Sequence, residues 1–112
     1  MPLDPEDKAL LDDIRRAAVE ASGFVAGMGE AAFYKDTKTQ KAVEREFEIM
    51  GEAAKSLSEP ARQAFPRVPF KAMIGMRNIL AHDYGRVDPK ELWATVHQSL
   101  PAMLAQLKKP KA

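Results

Sequence analysis

The densest run of chemically capable side chains is Arg77-Asn78-Ile79-Leu80-Ala81-His82-Asp83-Tyr84-Gly85. Histidine is the side chain suited to moving a proton near neutral pH. Arginine carries a permanent charge on a planar fork whose donors match phosphate oxygens. Arg77 and His82 together could hold an anion and transfer a proton to or from it. On an ideal helix, residues five apart are separated by about 140° and roughly 7.5 Å of rise, so they do not share a face. Both reach one substrate only where the helix ends or distorts near His82. Asp83-Tyr84-Gly85 supplies that punctuation, since glycine readily takes the left-handed conformation after a helix C-terminus. Taken singly, each residue has an ordinary role: an arginine is most often a surface ion-pair partner, and a histidine in a helical run is most often structural or solvated.

The surroundings of the run strengthen the anion reading. The 112-residue chain carries 17 Lys/Arg and 16 Asp/Glu, a net charge of +1. That near-neutral total, taken whole, argues against a dedicated nucleic-acid binder. The charges are unevenly placed, however. Residues 1–61 balance to −5 and residues 62–90 to +4, the latter through Arg62, Arg67, Lys71, Arg77, Arg86 and Lys90 against Asp83 and Asp88. The polar run lies inside the basic block, where a local surface for an anion is expected.

Composition closes other routes. Zero Cys excludes a disulfide scaffold, a thiolate zinc site and a cysteine nucleophile. Two His exclude an all-histidine metal cage within one chain. A 46% hydrophobic content is too high for intrinsic disorder. No stretch approaches the roughly 18 apolar residues of a membrane span, and Met-Pro-Leu-Asp-Pro is not a secretory leader. No membrane association and a cytoplasmic location are expected.

The elements that must position the run read as helices throughout. Leu10, Ile14, Ala17, Ala21, Phe24 and Met28 recur at spacings of three and four after Asp4-Pro5, an N-cap with proline at the first helical position. Gly23, Gly27 and Gly29 place the end of this first helix. Val43, Phe47, Met50, Ala54 and Leu57 form the apolar face of a second helix of about 20 residues, opposite Lys41, Glu44, Arg45, Glu48, Glu52 and Lys55. Gly51 in its middle costs roughly 0.5–1 kcal/mol relative to alanine, and close approach of a neighbouring helix would explain it. Ser58-Glu59-Pro60 opens a short third helix ended by Pro66. A fourth runs from about Phe70 to the region of His82. A fifth starts at Asp88-Pro89-Lys90-Glu91, with Glu at the capping-box position, and Leu92, Val96, Leu100, Met103, Leu104 and Leu107 on its apolar face. Pro101 should kink or split it. The expected architecture is an all-α, up-and-down bundle of four to five helices over residues 1–107, with a basic tail at 108–112. Met28, Met50, Met73, Met76 and Met103 read as adaptable core or dimer contacts, and His97, among packing residues, as structural.

The string R-N-I-L-A-H-D-Y, preceded by Val68-Pro69-Phe70 and followed by Val87-Asp88, resembles the HepT-like branch of the HEPN superfamily. The resemblance extends over nearly the whole chain. Ala31-Ala32-Phe33-Tyr34-Lys35-Asp36 is similar to the family's segment before its second helix. Ala42-Val43-Glu44-Arg45 and Ile49-Met50-Gly51-Glu52-Ala53 are similar to that helix, and Leu92-Trp93 and Leu100-Pro101 to the last one. Where the family usually has Trp after the second proline, this chain has Phe70.

The resemblance implies a homodimer whose two R-x4-H-x-Y motifs face each other across a cleft. It implies a metal-independent endoribonuclease toxin of a type VII-like toxin–antitoxin pair, with RNA as substrate and no cofactor. The partner it implies is a minimal nucleotidyltransferase antitoxin, which adds AMP to the motif tyrosine, here Tyr84, and can form a larger hetero-oligomer with the toxin. Arg77 and His82 are then the catalytic residues, and Asn78 and Asp83 supporting or RNA-binding ones. RNA cleavage without metal needs a base for the 2′-OH proton, an acid for the leaving 5′-oxygen and positive charge at the phosphorane. Two copies of His82 and of Arg77 would supply these. The alternative is a non-catalytic subunit that presents a nucleotide or substrate to a two-component nucleotidyltransferase.

Overall fold

A computed structural model describes residues 3–82 and 87–108, and within them every regular element is helical. Chain order is α1 (Pro5–Phe24), α2 (Glu30–Tyr34), α3 (Thr37–Ser56), α4 (Glu59–Ala64), α5 (Phe70–His82), α6 (Pro89–Ala94), a π-helical turn (Thr95–Ser99) and α7 (Leu100–Leu107). Asp83 to Arg86, and the basic tail beyond Lys108, lie outside the described residues.

Local chemistry sets the helix starts. Asp4 Oδ1 accepts from the Glu6 amide at 2.9 Å, Asp36 Oδ1 from Thr39 at 3.0 Å, Ser58 Oγ from Ala61 at 3.3 Å and Asp88 Oδ1 from Lys90 at 2.9 Å. Each satisfies an amide that has no partner within its helix. α1 closes into a turn in which Gly27 has φ +75°, a conformation that favours glycine. Glu91 does not act as a side-chain cap; it lines a groove beside α5.

The expected five helices become seven α-helical segments among the described residues. α2 is added before the second long helix, and it seats the fully buried Phe33. The last helix is divided, as Pro101 leads one to expect, and the division takes the form of a π turn just before it. Proline cannot donate to the His97 carbonyl, four residues back. The π turn lengthens the hydrogen-bond step, so that the Leu100 amide bonds the Thr95 carbonyl.

The core runs through Leu11, Ile14, Phe33, Val43, Met50, Leu92 and Leu107, all almost wholly excluded from solvent. Each large side chain buried this way contributes about 1.5–3 kcal/mol. α1 and α3 run antiparallel. At one end, Ser58, just past α3, donates its amide and hydroxyl to the Asp7 carboxylate at 3.0 and 2.6 Å. These two bonds hold the Asp7 carboxyl below the usual carboxylate range. At the other end, Glu46 of α3 meets Glu20 of α1. Arg62 Nη2 donates to the Leu57 carbonyl at 2.9 Å, anchoring α4 at the end of α3. Arg15 Nη2 donates to the Leu107 carbonyl at 3.1 Å, tying α7 back to α1. No described helix is long and apolar enough to cross a membrane.

Candidate active site on α5

α5 packs chiefly along α3, and Gly51 sets how closely. A Cβ on Gly51 would collide with Cβ of Arg77 and lie 2.6 Å from the Met73 carbonyl oxygen. The close approach expected from a mid-helix glycine is therefore that of α5, and it falls at the arginine of the polar run. Gly51 is itself buried. The Arg77 side chain crosses this gap and turns along the next residue of α3, its Nε lying 2.7 Å from Glu52 Oε2. Nη1 donates to Asn78 Oδ1 at 3.2 Å. The Arg77 side chain is 25% exposed, so it is ordered by protein yet open to solvent.

His82 is the last described residue of α5 and is exposed. The helix is α-helical up to that point, so Arg77 on the α3 side and His82 remain about 140° apart. Within one chain, α5 presents them on different faces. The expected punctuation at Asp83-Tyr84-Gly85 lies outside the described residues. Asn78 is exposed beside Arg77. Asp83 and Tyr84 lie outside the described residues.

Two depressions flank α5. One, of about 380 Å³, is bordered by Arg77, Glu52, Glu48, Arg45, Asp13 and Leu10, and so mixes both signs of charge. The other, of about 440 Å³, is apolar, with Phe47, Met50, Met73, Met76, Ile79 and Met103 in its wall. The methionines thus divide: Met50 and Met103 are buried, while Met73 and Met76 are half-buried along this groove. Ile79 is 43% exposed, one of few large apolar side chains so open. Among the described residues, no three His, Asp or Glu are arranged to hold a metal ion.

His97 stands in the π turn and is exposed. Its ring lies over Trp93 with centroids 3.8 Å apart, and its Nδ1 lies 2.8 Å from the Trp93 carbonyl. Trp93 in turn tilts against Phe33 of α2 at 5.4 Å. These contacts fit a structural histidine, outside both depressions.

The residues that the run did not announce are Gly51 and Glu52. The glycine was conspicuous in an amphipathic helix. The glutamate was one of several charges on that helix's polar face, and only the packing of α5 distinguishes it.

A sequence model of the family described as "Ribonuclease HepT-like" matches residues 14–110. Among curated proteins, "Probable ribonuclease HepT" of Thermococcus cleftensis is 35% identical over 102 residues, 91% of this chain and 93% of that protein. "Putative RNase MJ1380" of Methanocaldococcus jannaschii is 37% identical over 94 residues, 84% of this chain and 86% of that protein. No solved structure matches the chain at a significant level. A fold that is helical throughout its described residues, with an R-x4-H run on its fifth helix, thus meets a family match across most of the sequence. The chain belongs to the HepT-like ribonuclease family.

Proposed function

We propose that the protein is a metal-independent endoribonuclease and the toxin of a toxin–antitoxin pair, cutting RNA with Arg77 and His82. The observation that carries the reading is the R-x4-H pair on α5, in a chain that matches the ribonuclease family over residues 14–110. In the proposed reaction the 2′-OH attacks the adjacent phosphate, one histidine takes its proton and a second protonates the leaving 5′-oxygen. Arg77 bears on the charge of the phosphorane. One chain supplies a single His82, held about 140° around α5 from Arg77, so the active unit is two chains with their α5 helices facing. The open face of α5 supports this arrangement: Ile79 is exposed on it, and Ala72 and Gly75 are small and exposed beside it. Asn78 and Asp83 serve as supporting or RNA-binding residues.

The cognate partner in this reading is a small nucleotidyltransferase that adds AMP to Tyr84, two residues from His82. An adenylate there would place a bulky anion close to His82 in the chain and block the approach of RNA.

The test is cleavage of RNA by the purified protein in chelator. The parent is expected to cut, and His82→Ala to lose about 100-fold or more of the rate, the usual range for a general acid–base residue. Full activity of His82→Ala overturns the assignment. Nucleotide binding by the parent without RNA turnover would instead identify a presenting subunit of a nucleotidyltransferase. For the second part, incubation with the partner and ATP is expected to raise the mass in steps of AMP, and Tyr84→Phe to abolish the gain. Modification that persists in Tyr84→Phe defeats the site.

A further inference from the structure

We propose that Glu52 is a positioning residue for Arg77, acting with Gly51 as one device on α3. The inference rests on the ribonuclease reading and deepens it. Gly51 lets α5 approach until the Arg77 side chain lies across the α3 backbone, with Cγ of Arg77 3.0 Å from where a Cβ would stand. Glu52, the next residue, then takes Nε at 2.7 Å. The contact is through Nε, the inner nitrogen of the guanidinium. As an ion pair at 2.7 Å it tethers the guanidinium to α3 at its inner end, while the outer Nη atoms lie further along the side chain. Nη1 has the Asn78 amide oxygen at 3.2 Å, a neutral acceptor that a phosphate oxygen can displace.

The charges around the arginine make orientation the useful quantity. Asp13, Glu48 and Glu52 border the same depression as Arg45 and Arg77. Glu48 is 3.7 Å from Arg45. Carboxylates outnumber guanidinium groups there, so this surface does not draw RNA in by its field. A carboxylate on Nε weakens the long-range pull of Arg77 on an anion. In exchange it holds the Nη donors at a fixed angle, where they can meet charge as it develops on phosphorus. Displacement of a catalytic group by about 1 Å can cost on the order of 100-fold in rate.

Two opposite effects follow and give the test its discrimination. Glu52→Ala removes the anchor, so kcat for RNA is expected to fall about 10- to 100-fold. It also removes a negative charge beside the phosphate path, so KM is expected to stay level or fall. Glu52→Gln keeps a carbonyl oxygen for Nε and is expected to restore most of kcat. In the Arg77→Ala background, Glu52→Ala is expected to cost nothing further. An unchanged kcat in Glu52→Ala overturns the proposal, as does a loss that adds fully to that of Arg77→Ala. A rise in KM at constant kcat also overturns it, since that would mark Glu52 as a binding or merely structural group. Fraction folded is followed by circular dichroism, and rates are taken per folded molecule.

A second readout separates this proposal from the reading it rests on. The 15N–1H resonance of Arg77 Nε is expected to be protected from exchange in the parent and Glu52→Gln, and exposed in Glu52→Ala. An inactive parent with a protected Nε would defeat the ribonuclease reading and leave the contact standing. A parent Nε as exchangeable as in Glu52→Ala would defeat the positioning role even in an active enzyme.

Discussion

The two seams that α3 makes with its neighbours are built for different ends. Against α1, the packing is of side chains: α1 buries Leu11, Ile14, Ala17, Ala18 and Ala21, and its ends are tied by Asp7 with Ser58 and by Glu20 with Glu46. Against α5, the packing is of backbones brought close at Gly51, and α5 buries only Phe70 and Leu80 of its 13 residues. The α1 seam buries its apolar side chains almost completely at Leu11, Ile14, Ala18 and Ala21. The α5 seam keeps one arginine partly in water and leaves a helix face with Ile79, Asn78 and His82 exposed. More of α1 than of α5 is buried, and the candidate site lies at the second seam. That division suits a catalytic residue, which must be held by packing without being buried by it.

The largest effects should separate the seams cleanly. Arg77→Ala is expected to lower RNA cleavage by about 100- to 1,000-fold, the scale of losing a charge-stabilising donor. It should cost at most about 1 kcal/mol of stability, because its ion pair is half in solvent. Ile14→Ala, at a fully buried position of α1, should do the reverse. It is expected to cost about 2–5 kcal/mol through the cavity left behind, with cleavage per folded molecule unchanged. Urea titration and a fluorogenic RNA assay on both variants check the pair. Equal losses of stability would show that the α5 seam bears as much of the fold as the α1 seam.

Gly51→Ala tests the seam itself. Alanine gains about 0.5–1 kcal/mol of helix propensity. Its methyl meets the Met73 carbonyl and Arg77 Cβ, neither of them the end of a flexible chain. Overpacking of that kind costs about 1–3 kcal/mol, so the net effect is expected to be destabilising by about 1 kcal/mol. Activity should fall further than stability, because α5 must move away from α3 and carry Arg77 with it. A variant more stable than the parent, with full activity, would show that the two helices approach less tightly than the Gly51 contacts indicate.

Much of this contrast is legible in the amino-acid sequence. Asp4-Pro5, Ser58-Glu59-Pro60 and Asp88-Pro89 mark helix starts through local chemistry, and the structure places caps at each. The period of Val43, Phe47, Met50 and Ala54 defines the buried face of α3. α2 escapes such a reading because its N-cap is Gly29, with no side-chain cap bond, and five residues are too few to show a period. Pro101 announces an interruption, but its form depends on how the hydrogen bonds step around a missing donor, which composition does not convey. At the site, Arg77 and His82 stand out as types in a dense run, and Gly51 as an anomaly in a helix. Glu52 does not, because a pairing between residues 25 positions apart belongs to the packing of two helices. Asp83 and Tyr84 are candidates by sequence and lie outside the described residues, so their roles rest on the family resemblance.

The smallest expected effect lies in the α1 seam and concerns a charge. Glu46 is buried in α3, and burial is the main cause that pushes its carboxyl up to about 7 from an ordinary 4.5. A hydrogen bond with Glu20 and the Glu20 charge add to this, while Arg45 opposes it. Below about pH 4.5 the group is protonated in both folded and unfolded chains and has no effect on stability. As pH rises from there to about 7, the unfolded chain releases the proton and the folded one retains it, so stability falls. Above about 7 the whole penalty is present. Glu46→Gln keeps the shape and removes the titration. It is expected to stabilise the fold by on the order of 1 kcal/mol at pH 8, reduced from the full shift because Glu20 is exposed to solvent. At pH 4 it should be close to neutral. Urea midpoints of parent and variant across this range give the difference directly. Midpoints that stay parallel from pH 4 to 8 would mean that Glu46 ionises as freely in the folded chain as in the unfolded one. The α1 seam would then admit water at that end, and its contrast with the α5 seam would be one of degree.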